Sequence, residues 1–124
     1  MVVGDLHCPF DHPRALKHAQ ETYAKFNCNR VVFIGDCIDS SASSYHESDP
    51  NGMSAGAELK LAKKHIAKWY RAFPKATVII GNHDRIVARK AFSGGIPREW
   101  IKSYNDVLGT PNWVWTERLV IDDM

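Results

Sequence analysis

Residues 31–39 read VVFIGDCID, an apolar run of four residues followed by a glycine and two aspartates three positions apart. An apolar run without polar alternation is typical of a strand that is buried on both faces, as in parallel sheets covered by helices. Val2-Val3 and residues 77–80 (TVII) have the same character, and a glycine follows each of the three runs. The sequence therefore predicts three short buried strands that each end at a glycine.

Two amphipathic helices are predicted between these strands. Apolar side chains recur at helical spacing over residues 16–26, after a start signal at Asp11 and Pro13. A second apolar stripe runs over residues 59–73, and Pro74 marks its end. The order strand, helix, strand, helix, strand predicts an α/β fold with a βαβαβ parallel sheet core, in which ligands gather at the carboxyl ends of the strands.

The last third of the chain carries weaker patterns. We expect a short helix after Asp84, another helix over residues 99–104, and a further strand over residues 113–121. With 124 residues and 14.0 kDa, all these elements belong to one domain, residues 1–124.

Charge and cysteine content restrict the class of protein. The formal net charge of +2 is too small an excess to indicate nucleic-acid or membrane binding by itself. The three cysteines form no C-x-x-C pair, which favours a reducing compartment over a disulfide-stapled secreted module. Because no apolar stretch approaches the roughly 20 residues of a membrane span, we expect a soluble, cytoplasmic protein without a membrane partner. The oligomeric state is not predicted.

Polar side chains that can bind metal ions follow all three predicted strands. They are Asp5 and His7 in GDLH, Asp36 and Asp39 in GDCID, and Asn82, His83 and Asp84 in GNHD. Because the strands are parallel, their three following loops converge at one edge of the sheet. Divalent ions such as Mn²⁺, Fe and Zn²⁺ accept mixed shells of carboxylate, amide oxygen and imidazole. The glycine before each motif is expected to supply an unusual φ and a close backbone approach.

This set of side chains suits phosphoester hydrolysis. Two divalent ions roughly 3.5–4 Å apart orient and acidify a bridging water and neutralise charge on phosphoryl oxygens. The leaving oxygen also needs a proton, and His83, adjacent to Asp84 in the sequence, is the candidate acid.

The motifs D-x-H, G-D-x-x-D and G-N-H-[D/E], in this order and each after a buried strand, resemble those of the calcineurin-like metallophosphoesterase superfamily. The resemblance covers residues 4–84. It implies a layered α/β sandwich and, as nucleophile, a hydroxide that bridges two divalent metal ions. Mn²⁺ is the first candidate for these ions, with Fe, Zn²⁺ or Ni²⁺ as alternatives. It also implies residue roles: Asp5 and His7 bind one ion, Asp36 bridges, Asn82 binds the other, His83 is the acid, Asp39 supports the site and Asp84 partners His83.

The sequence departs from the superfamily pattern in two ways. The family completes its metal shells with later histidines, whereas His83 is the last histidine here. We therefore expect an incomplete domain, truncated before the C-terminal histidine motifs. Ser40 and Ser41 follow Asp39 where the protein phosphatases of the superfamily have Arg-Gly, which disfavours a protein phosphatase. Phosphomonoesters and phosphodiesters, including nucleotides and nucleic acids, remain open as substrates.

Two alternatives stay open at this point. Asp and Asn also favour turns and helix caps for local hydrogen-bonding reasons, and for Asp39 and Asp84 a purely structural role, such as pairing with Arg85, is an equal alternative. The chain could also be a noncatalytic fragment or a degenerate homologue with an incomplete metal site.

Overall fold

The computed structural model describes residues 1–121 as four strands and four α-helices. In chain order these are β1 (Val2–Val3), α1 (Ala15–Lys25), β2 (Val31–Phe33), α2 (Ala55–Ala72), β3 (Ala76–Ile79), α3 (Ile86–Ser93), α4 (Tyr104–Leu108) and β4 (Val114–Thr116). Short 3₁₀ turns lie at Ser41–Ser43 and Arg98–Trp100. No helix in this part of the chain is both long and apolar enough to cross a membrane.

The four strands form one sheet in the order β1-β2-β3-β4, and every neighbouring pair is parallel. One row of paired residues crosses all four strands: Val32 pairs with both Val2 and Thr77, and Thr77 pairs with Val114. The predicted α/β class with a βαβαβ parallel core is thus confirmed, with β4 added beyond β3. Since all strands point the same way, the loops after β1, β2 and β3 leave from one edge of the sheet.

Burial follows position in the sheet. All three residues of β2, one of the two inner strands, are buried, as its unbroken apolar run predicts. In β1 the expectation of burial on both faces is wrong, because the strand is at the edge of the sheet and Val2 is 55% exposed. Aromatic rings pack against β2: the Phe33 ring centroid is 5.9 Å from that of Trp69 and 4.9 Å from that of Trp113. The Trp113 Nε1–H also donates to the Phe73 carbonyl at 2.8 Å.

The predictions for the last third of the chain need correction. The helix expected over residues 99–104 is replaced by the 3₁₀ turn, and α4 begins only at Tyr104 because the Ser103 side chain caps it, accepting from the Asp106 N–H at 3.2 Å. The strand expected over residues 113–121 is restricted to β4, where it pairs with β3.

Candidate metal centre

The loops after β1, β2 and β3 are joined by hydrogen bonds at the edge of the sheet. The His7 N–H donates to the Asp36 carbonyl at 2.9 Å, and the Asp5 N–H donates to the Gly35 carbonyl at 3.3 Å. The third loop joins them through the His83 N–H, which donates to Asp36 Oδ1 at 2.8 Å. Asp36, on the middle loop, therefore contacts both neighbours.

Asp5, His7 and Asp36 form a cluster with the geometry of a metal site. His7 Nε2 is 3.6 Å from Asp5 Oδ1 and 3.9 Å from Asp36 Oδ2, and one potential ligand atom from each residue lies within 4.8 Å of the other two. Because the other Asp36 oxygen already accepts the His83 N–H, Oδ2 is the oxygen left for a ligand role. The Asp5 side chain is 72% exposed, so the cluster is accessible from solvent.

Asp39 orients the His7 ring. Its Oδ1 is 2.8 Å from His7 Nδ1, and since an ionised carboxylate only accepts, the proton lies on Nδ1. The lone pair of the neutral ring is therefore on Nε2, the nitrogen that faces Asp5 and Asp36. A carboxylate behind a histidine in this way fixes the tautomer that binds a metal ion.

Asp39 also holds the second histidine of the site. The His83 Nδ1 lies at hydrogen-bond distance from the Asp39 carbonyl oxygen, and it is 3.7 Å from the Asp39 carboxylate. A carbonyl oxygen can only accept, so Nδ1 carries a proton and Nε2 is the nitrogen that can exchange one with a substrate. The rings of His7 and His83 meet edge to face with their centroids 4.7 Å apart. Asp39, His7 and His83 form a second group of ligand atoms within 4.8 Å of one another.

Asp84 has partners other than the one implied by the family resemblance. Its carboxylate is buried, 2% exposed, and accepts the backbone N–H groups of Asp36 at 2.9 Å, Ile38 at 3.2 Å and Gly81 at 2.9 Å. Burial raises the pKa of this carboxyl despite the N–H donors, which favour the ionised form. Asp84 thus fastens the loops after β2 and β3 together, while the ring of His83 is held by Asp39.

Asn82 lies at the rim of the site. It is exposed in the turn after β3, and its carbonyl accepts the Arg85 N–H at 3.2 Å. The next residue in the chain, His83, donates its backbone N–H to Asp36 of the cluster. Asn82 is therefore on a loop that contacts the cluster. Its role as a metal ligand stays a prediction.

Known proteins provide an independent comparison. The family model described as calcineurin-like phosphoesterase matches residues 1–121. The chain belongs to the calcineurin-like phosphoesterase family. The match extends well beyond residues 4–84, on which the sequence resemblance rested. No curated protein matches the chain, and neither does any solved structure.

The donor atoms of this chain fit the divalent metals that its family binds. Two carboxylates and an imidazole nitrogen surround one point, which is a mixed oxygen and nitrogen set suited to Mn²⁺, Fe or Zn²⁺. Asp39 also accepts the hydrogen bond that orients the His7 ring, as carboxylates commonly do at metal sites. The donor set does not distinguish among these metals.

The glycines before the three motifs were expected to have unusual φ values, but most of the positive φ values at the metal centre occur at other residues. Positive φ values of 51–52° occur at the proposed ligands themselves, Asp5, His7 and Asp36, and of the three glycines only Gly35 has one, at 105°. Gly81 serves instead for close approach, because a Cβ there would be 2.3 Å from both the backbone nitrogen and Oδ1 of Asp36. A left-handed conformation at a non-glycine residue costs of order 1–3 kcal/mol and is concentrated at functional sites.

One supporting residue was missed in the sequence. Glu58 of α2 is 4% exposed, and its carboxylate accepts the Ser41 N–H at 2.8 Å, the Ala42 N–H at 2.8 Å and the Ser41 hydroxyl at 3.0 Å. It holds the segment that directly follows Asp39. An acidic residue in the first turn of a helix is ordinary, so no sequence signal distinguishes Glu58 from a solvent-exposed one.

Proposed function

We propose that this protein hydrolyses phosphate monoesters or diesters at the Asp5–His7–Asp36 cluster. The observation that carries the proposal is the arrangement of His7, with Nδ1 held by Asp39 and Nε2 facing the two other side chains. These residues together with Asn82 would hold two divalent ions, with Mn²⁺ as the first candidate. Bound divalent ions supply Lewis acidity, which neutralises charge on phosphoryl oxygens and acidifies water.

His83 is the proposed general acid. In hydrolysis, water adds to phosphorus, the bond from phosphorus to the leaving oxygen breaks, and that oxygen takes up a proton. Since Nδ1 is engaged with the Asp39 carbonyl, the transferred proton leaves from Nε2 of the protonated ring. The side chain is 37% exposed, which allows a substrate to reach it. Asp39 supports the acid and Asp84 holds the loop on which it lies.

The proposed substrates are small phosphoesters, nucleotides among them, and accessible phosphodiesters of nucleic acids. The support is the open position of the cluster: Asp5 is largely exposed, and no narrow channel is needed to reach it. We place the reaction in the cytoplasm on the cysteine content, because Cys8, Cys28 and Cys37 are all free thiols, as is usual in proteins of a reducing compartment.

A second candidate is a homologue that binds metal without turnover. It is favoured by the small number of ligands. Within residues 1–121 the cluster offers three carboxylate or imidazole ligands, from Asp5, His7 and Asp36, and the Asp5 side chain is 72% exposed. A metal shell with few protein ligands and little burial binds its ion weakly.

The test combines metal binding with turnover. Calorimetric titration with Mn²⁺ and hydrolysis of bis(p-nitrophenyl) phosphate and p-nitrophenyl phosphate are measured for the wild type, Asp36→Ala and His83→Asn. Lys63→Ala, on the exposed side of α2, is the control. We expect Asp36→Ala to lose Mn²⁺ binding, and His83→Asn to keep binding but lose about 100-fold or more in kcat.

Two results would decide against hydrolysis. Mn²⁺ binding by the wild type no stronger than that of Asp36→Ala would refute the metal site. Mn²⁺ binding that is lost in Asp36→Ala, together with wild-type turnover no faster than that of His83→Asn, would instead support the noncatalytic candidate.

A further inference from the structure

A cavity of about 350 Å³ lies behind the metal-centre loops, between these loops and the helices α2, α3 and α4. It is lined chiefly by apolar side chains, among them Ile38, Leu59, Val87, Ile101, Val107 and Leu108. Leu59 and Val87 are 39% and 51% exposed, so apolar surface remains uncovered in its wall. Small-molecule sites typically have volumes of roughly 300–1,000 Å³ and apolar walls with a few polar groups, and this cavity is at the small end of that range.

The start of α2 leaves this space open. Gly56 is the second residue of the helix and lines the cavity, and a Cβ at this position would meet no atom within 4 Å. Glycine is a poor helix former, and neither a positive φ nor a close contact requires it here. A methyl group at position 56 would therefore meet no atom of the cavity wall.

The charges around the cavity favour an anion. Arg98 and Lys102 line it, and within residues 1–121 neither has a carboxylate at ion-pair distance. The two acidic residues of the wall, Glu58 and Asp84, each accept three hydrogen bonds from the chain itself. Among the described residues, these two cations are therefore the wall charges without a carboxylate partner.

From these three observations we infer that the cavity binds a small amphipathic anion, with its apolar body against Leu59 and Val87 and its charge near Arg98 and Lys102. The inference does not rest on the proposed phosphoesterase activity, because Asp5, His7 and Asp36 do not line the cavity. Such a ligand would nevertheless contact the metal-centre loops from behind, since Cys8, Ser40 and Asp84 are also in the wall and each is adjacent in the chain to a site residue.

Octanoate is the probe, and 1-octanol, which has a similar apolar body but no charge, is the comparison. Calorimetry of the wild type is expected to show saturable one-to-one binding of octanoate, with amide chemical-shift changes centred on the cavity walls. Octanol should bind about five- to tenfold more weakly, because it lacks the charge that faces the two cations.

Two variants locate the probe. Gly56→Leu fills the cavity and should weaken octanoate binding at least about tenfold, whereas Lys63→Leu adds the same side chain to the exposed face of α2 and should leave it unchanged. Lys102→Glu should weaken binding about five- to tenfold, and Lys63→Glu, with the same charge change elsewhere, should not.

Absence of saturable octanoate binding would overturn the inference, as would equal affinity for octanol or wild-type affinity in a folded Gly56→Leu. If Gly56→Leu does not fold, the inference is tested by comparing Lys102→Glu with Lys63→Glu and octanoate with octanol. Equal affinities in either comparison would also overturn it.

Discussion

The Glu58→Ala variant tests whether the buried carboxylate of α2 holds the loop behind Asp39. The substitution removes the acceptor of three hydrogen bonds, from the Ser41 N–H, the Ala42 N–H and the Ser41 hydroxyl. Hydrogen bonds to charged groups contribute about 1.5–3 kcal/mol each. Because Ser41 is exposed and water replaces part of what is lost, we take about 1 kcal/mol per bond. The expected loss is about 3 kcal/mol, or roughly 12 °C in Tm for a domain of this size.

Urea unfolding followed by tryptophan fluorescence, with linear extrapolation, measures this loss. Glu58→Gln keeps the shape but not the charge and should lose about half as much. Glu21→Ala, an exposed glutamate on α1, is the control and should remain within about 0.5 kcal/mol of the wild type. A loss below about 1 kcal/mol in Glu58→Ala would refute the reasoning, because removal of a buried carboxylate that accepts three hydrogen bonds should cost more than that.

Three further predictions concern the metal centre. Asp39→Asn should weaken Mn²⁺ binding about 10- to 100-fold in calorimetry, because the charge that orients His7 is lost; unchanged affinity would exclude that role. Gly81→Ala should lose more than about 2 kcal/mol in urea unfolding, because its Cβ would meet Asp36 at 2.3 Å, whereas Gly56→Ala should lose nothing. Mn²⁺ at 100 times its Kd should stabilise the wild type by about 2.7 kcal/mol in thermal unfolding, and an equal gain in Asp36→Ala would place the ion elsewhere.

The elements that sequence reasoning predicted well are those determined by local pattern. The run over residues 31–34 lacks polar alternation, and β2 is accordingly an inner strand whose three residues are all buried, whereas Ile34, just beyond it, is 50% exposed. The apolar stripe over residues 59–73 appears as α2, and Trp69 on that stripe packs against Phe33. Once parallel order was inferred, the meeting of the three loops followed from topology alone, since parallel strands end at the same edge.

The features that were missed depend on contacts between distant parts of the chain. The carboxylate of Asp84 finds its donors at positions 36, 38 and 81, and no local pattern says that it turns toward these backbone groups rather than toward the ring of His83. The start of α4 was misplaced because Pro97, a residue typical of the first turn of a helix, precedes the 3₁₀ turn instead, and α4 begins only after the Ser103 cap. Tertiary structure chooses among such local options.

The left-handed residues of the metal centre have a structural cause in the sheet itself. Beyond β1 the chain continues to pair with the segment after β2: the His7 N–H donates to the Asp36 carbonyl and the Cys8 N–H to the Cys37 carbonyl, both at 2.9 Å. A further parallel bridge joins Cys8 to Ile38. Inter-strand bonds on both sides of the strained residues hold these turns in place, at a cost of order 1–3 kcal/mol for each left-handed residue. The side chains of Asp5, His7 and Asp36 are therefore positioned by backbone hydrogen bonds, so a metal ion would meet a centre whose geometry the fold has already set.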